Sequence, residues 1–138
     1  MGLFSKKSEQ ELRNEQKTKI FKELEAIYSD EIRPGSLGQQ KACWLTSRAY
    51  HYISIGIKTG KFDEALEDLD EAIRYKSDHL PAHMQRALIY YVKGDIQKAK
   101  DLVRAMPKHG LLDGEVFETK EDILSDPSIP KELKDLDD

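Results

Sequence analysis

The chain reads as an all-α protein: a helical-hairpin array with an N-terminal capping helix and an acidic C-terminal tail. Three observations predict this. One short pattern occurs twice, first as Gly60-Lys61-Phe62-Asp63-Glu64-Ala65-Leu66 and again as Gly94-Asp95-Ile96-Gln97-Lys98-Ala99-Lys100. Gly60 to Gly94, Phe62 to Ile96, Ala65 to Ala99 and Leu69 to Val103 are all 34 residues apart. Apolar residues elsewhere recur at three- and four-residue spacing, the period of a helix with one buried face. The composition, 35% charged and 8% aromatic, suits a well-solvated helical chain of 138 residues, the size of one ordinary domain.

The N-terminal segment, residues 1–35, opens with Ser8-Glu9-Gln10-Glu11, the form of a capping box with Ser8 as N-cap and Glu11 reaching back. Leu12 is the only large apolar residue of this helix before Ile20. Ile20, Phe21, Leu24, Ile27, Tyr28 and Ile32 then form one stripe expected to be buried. Pro34 cannot continue the helix and disfavours the α conformation at Arg33, so Arg33 to Gly38 ends it. This helix stands outside the repeated pattern and is expected to cover the exposed face of the first hairpin.

Residues 39–110 hold the two hairpins. A helix from about Gln39 to Lys58 precedes the turn at Thr59-Gly60. Aligning it with its counterpart either ends it early or adds one helical turn. The longer helix places Ala49 and Tyr52 in register with Ala87 and Tyr90, and leaves Gly56 in the last turn, where it would loosen or bend the chain. Phe62 to Tyr75 forms the partner helix, with Phe62, Ala65, Leu66, Leu69, Ala72 and Ile73 on its apolar face. Asp63, Glu64, Glu67, Asp68, Asp70 and Glu71 read as its solvated face. In the turn Lys76-Ser77-Asp78-His79, Ser77 or Asp78 is the expected cap, and Pro81 falls in the first turn of the next helix. His83, Ala87 and Tyr90 lie on that helix; Ile96, Ala99, Leu102, Val103 and Met106 lie on the last one, capped by Asp95. Its exposed face is basic, with Lys98, Lys100 and Arg104, and Pro107 to Gly110 closes the array.

The tail, residues 111–138, carries Val116, Phe117, Ile123 and Leu124 among acids. A short helix is expected from Thr119 to before Asp126-Pro127, and a last one from Ser128-Ile129-Pro130 to Leu136. Partial disorder and docking on the body both fit this composition.

The 34-residue period, the turn glycines and the small residues at Ala65 and Ala99 resemble the tetratricopeptide repeat (TPR). The resemblance covers residues 44–110, about half of the chain, and implies a right-handed array of stacked hairpins. Gly60, Ala65, Ala72, Ala87, Gly94 and Ala99 would be its repeat-packing positions. The sequence departs from the family where its first-helix Trp would stand, at Leu45 and His83, and where Ser77 replaces the closing proline. Two repeats are fewer than the usual three, so the N-terminal helix and the tail must supply capping surface. TPR proteins typically hold a peptide or helix in a concave groove lined by first helices. Here that groove would comprise Tyr50, Ser54, Met84, Gln85, Leu88 and Tyr91. The Lys and Asn that let some members grip a C-terminal carboxylate are absent, since those positions read Thr46 and Tyr50, or Tyr50 and Ser54, with Gln85 in the second repeat.

Several function classes are excluded or disfavoured. A net charge of −4 argues against general nucleic-acid binding. The charge is uneven: residues 1–112 carry 19 Lys/Arg against 16 Asp/Glu, and 113–138 carry 3 against 10. One cysteine, Cys43, allows no intramolecular disulfide and fits a reducing, cytoplasmic setting. No apolar run reaches the ~18–20 residues that span a bilayer, and the start lacks the apolar region of a signal peptide. Lys6 stands where the N-myristoylation pattern has Ser or Thr. No phosphate loop, nucleophile elbow or cysteine-pair metal motif is present, and no cofactor or catalytic residue is expected. His79 and His83, four apart, read as capping or solvated imidazoles rather than a metal pair.

The function this predicts is a small non-catalytic adaptor or chaperone-like module that binds another protein, a peptide or amphipathic helix, on apolar anchors such as Tyr50, Leu88 and Tyr91. The acidic tail is expected to compete for that surface. The alternatives are an assembly subunit that forms homo-oligomers through its repeat faces, and a membrane-peripheral adaptor anchored by Leu3, Phe4, Lys6 and Lys7.

Overall fold

The structure, a computed structural model, describes residues 6–28, 36–112 and 114–136. Ile32, the Arg33 to Gly35 stop and the Leu3-Phe4 anchor lie outside the described residues. Helix α1 spans Glu9–Ile27, α2 Ser36–Thr59, α3 Asp63–Tyr75, α4 Leu80–Val92 and α5 Ile96–Arg104. A hairpin of β1 (His109–Leu112) and β2 (Glu115–Thr119) follows, then α6 (Lys120–Leu124) and α7 (Lys131–Lys134). This is an all-α, TPR-like helical array with a small β-hairpin added.

The predicted caps form in part. Ser8 Oγ accepts from Glu11 N at 3.1 Å and Asp95 Oδ1 from Lys98 N at 3.2 Å. The turn glycines Gly60 and Gly94 have φ of 78° and 91°, a left-handed conformation that an L side chain adopts only at a cost of roughly 1–2 kcal/mol. At the inter-repeat turn neither Ser77 nor Asp78 caps α4; its N-cap position is His79, which makes no side-chain cap bond. Asp78 reaches the other way: its Oδ2 accepts from Leu111 N at 2.9 Å and so ties β1 to the turn.

Stacking explains how two hairpins share a core. Leu45 and Ala49 of α2 meet Phe62, at the N-cap of α3, and Ala65, Leu69 and Ala72 of α3, joined by Phe21 of α1 and by Ala82 and Ile89 of α4. The other side of α4, with Leu80, Met84 and Ala87, packs on Ala99, Val103 and Met106. Helix α4 thus buries two faces, which is the physical content of a repeat that cannot fold alone. Ala65, Ala72, Ala87 and Ala99 are all completely buried, and their small volume lets the helix axes approach.

Gly56 has a different role from the loosening expected. A Cβ there would lie 2.5 Å from Phe62 Cδ1 and 2.7 Å from the Lys61 carbonyl oxygen. The glycine admits the Phe62 ring against α2, and α2 runs on through it to Thr59.

Two segments differ from expectation. Ile27 is 75% exposed, so the buried side of α1 rests on Phe21, with Ile20 and Leu24 half-buried. In the acidic segment, β2 pairs antiparallel with β1, and Ile129 and Leu133 are buried in the second core. There the segment covers α4 and α5 rather than the α2–α4 groove. Acid-rich composition masked the alternating apolar pattern around Asp113-Gly114, a hairpin turn signal.

Candidate functional site

Helices α2 and α4, the first helices of the two hairpins, meet along a shallow cavity of about 260 Å³ lined by Thr46, Ser47, Tyr50 and Gln85. Tyr50 is 65% exposed, so its ring is not committed to the core. Ser54, one turn on, is exposed, and its Oγ donates to the Tyr50 carbonyl at 3.4 Å. Thr46 is turned inward, donating to Ala42 O at 2.8 Å.

Three of the six expected groove residues are spent elsewhere. Met84 is 4% exposed and belongs to the second core, because its position on α4 faces α5 rather than α2. Leu88 is half-buried against the same cluster. Tyr91 is half-buried, and its hydroxyl donates to the Glu132 carboxylate of α7. The structure therefore brings Tyr50 and Gln85 together, with Ser54 beside them, and commits Met84 and Leu88 to the second core and Tyr91 to a contact with α7.

The histidines are buried rather than solvated, at 4% for His79 and 8% for His83. His83 Nε2 lies 2.8 Å from the Ser77 carbonyl, so the tautomer with a proton on Nε2 donates to it. Burial, with His83 adding to it, pushes His79 down to about 4, and burial also lowers His83. Among the described residues no group of three or more His, Cys, Asp or Glu is gathered as a metal site. Cys43 accepts from Gln39 Nε2 at 3.2 Å, and burial pushes its thiol up, away from the reactive thiolate.

The polar cluster that sequence reasoning missed lies under α1. Asp68, read as solvated, is 1% exposed. Its carboxylate accepts from Arg13 Nη2 at 3.0 Å, from Arg48 Nη2 at 2.7 Å and from Arg48 Nε at 2.8 Å. Arg48 also donates to the Arg13 carbonyl at 2.9 Å, and Lys17 of α1 pairs with Glu71 at 2.9 Å. These charge contacts join the packing of Phe21 in holding α1. A signal was present: at 100° per residue Asp68 falls on the same arc of α3 as Ala65, Leu69 and Ala72.

The fold and the groove define a helical-repeat scaffold of the kind that displays a binding surface. Residues 57–121 match the family model described as Tetratricopeptide repeat, which supports a TPR-family protein. No curated protein and no solved structure matches it. Among the described residues no helix is long and apolar enough to cross a membrane.

Proposed function

We propose that this protein is a non-catalytic adaptor that holds a peptide or helix of another protein in the groove between α2 and α4, with Tyr50 as its anchor. TPR domains serve as protein-interaction modules, which supports the general reading. The observation that carries the specific one is Tyr50 itself: a large aromatic, 65% exposed, beside Gln85 and above an open cavity. Exposed tyrosines of this kind supply rigid contact area and a polar tip, and are enriched at interfaces.

The test is photo-crosslinking with p-benzoylphenylalanine placed at position 50 and, as control, at Lys19 on the outer side of α1. A discrete adduct with another protein from position 50 alone is the expected result. Adducts only between copies of this chain would favour the assembly-subunit reading. Equal labelling from both positions would overturn the groove.

A further inference from the structure

A second cleft lies on the opposite side of α2. Taking Tyr50 as origin, Tyr52 and Ile55 fall about 200° and 140° around the helix, so they face away from the groove. There α1, tied to α3 by Gln10 on Glu67 at 3.2 Å and Arg13 on Asp68 at 3.0 Å, leaves open space beside α2. The cleft between them has a volume of about 530 Å³. Leu12 from α1 and Ile55 from α2 form its lips, 52% and 42% exposed, and Tyr52 lines it between them. Glu9 and Glu64, in the first turns of α1 and α3, also line it. Arg13, the one cation in the lining, is spent on Asp68 at 3.0 Å, whereas among the described residues neither glutamate forms an ion pair.

We infer that this cleft is a docking site for a basic amphipathic helix of another protein, distinct from the groove that holds the proposed peptide. Apolar side chains on one face of such a helix fill the space between Leu12, Ile55 and Tyr52. Lysines or arginines flanking that face meet Glu9 and Glu64, which gives the site its sign preference. An acidic helix would meet the same two carboxylates with repulsion.

The test uses the full chain and two fluorescein-labelled helical peptides of about four turns, one built of Leu and Lys and the other of Leu and Glu in the same pattern. Anisotropy at about 0.1 M salt reads the binding. The Leu/Lys peptide is expected to bind at least about tenfold more tightly than the Leu/Glu peptide. Leu12→Ser and Ile55→Ser each weaken it several-fold, and the Glu9→Gln, Glu64→Gln pair reduces the preference by about fivefold. Tyr50→Ala leaves it unchanged. All these side chains are at least partly exposed, and unchanged Trp44 emission verifies the fold. Equal binding of the two peptides, or Leu/Lys binding untouched by the Leu12 and Ile55 substitutions, overturns the inference. Loss through Tyr50→Ala alone would place the peptide in the groove, which refutes the second site and leaves the groove reading standing.

Discussion

Replacing Asp68 with Asn tests whether α1 is held by the buried ion cluster. The Asp68 carboxylate is shared by two guanidinium groups, whose side chains are only 6% and 8% exposed. The amide keeps the shape and some acceptor capacity, but it leaves two arginines facing each other with no anion between them. Breaking a buried pair from one side costs roughly 3–5 kcal/mol. Glu67, 3.6 Å from Arg13 but half-exposed, recovers only part of this. A loss of about 4 kcal/mol is expected, a large share of the ~5–15 kcal/mol that holds a domain together. With a urea slope near 2 kcal/mol/M, the midpoint falls by about 2 M. Trp44 is the only tryptophan, and its ring packs edge-on against Phe21 of α1 at 6.1 Å, so its emission reports the docking of α1 directly. A loss below about 1 kcal/mol would refute the reasoning, because it would mean that water already screens the two arginines. Changing Arg13, Arg48 and Asp68 together to apolar residues should cost far less than Asp68→Asn, since no uncompensated charge remains.

Three further outcomes follow from the packing. His79 has its pKa lowered from 6.5 to about 4 by burial and by His83, with Asp78 opposing and Lys76 assisting. A depressed histidine contributes stability that is complete above the unfolded pKa and is lost as pH falls towards the folded one. Up to about 3 kcal/mol should therefore disappear between pH 6.5 and about 4, and His79→Gln should flatten that part of a urea-midpoint profile. Gly56→Ala places a methyl 2.5 Å from the Phe62 ring and against the Lys61 carbonyl, and calorimetry should register a loss of about 1–3 kcal/mol. Leu133→Ala, at a completely buried position of the second core, should cost about 2–5 kcal/mol by urea denaturation, whereas a disordered tail would tolerate it without change.

The sequence by itself determined the repeat and its turns. A period of 34 residues, two glycines, a set of alanines at fixed offsets and the capping residues Ser8 and Asp95 are local facts, and the hairpins and their apolar faces follow from them. Helical periodicity also placed Ala65, Ala72, Ala87 and Ala99 inside. What only the tertiary structure decided was which face of each helix has a neighbour. Helix α4 buries two faces, so Met84, with the same local pattern as an exposed groove residue, is core. Asp68 looks like its five acidic neighbours until Arg13, from a segment 55 residues earlier, supplies the charge that allows its burial. The groove narrowed to Tyr50, Ser54 and Gln85 because Leu133 and Glu132, far along the chain, cover the rest of α4. Propensity and periodicity act within a few residues, whereas desolvation and charge pairing depend on groups that only the folded chain brings together.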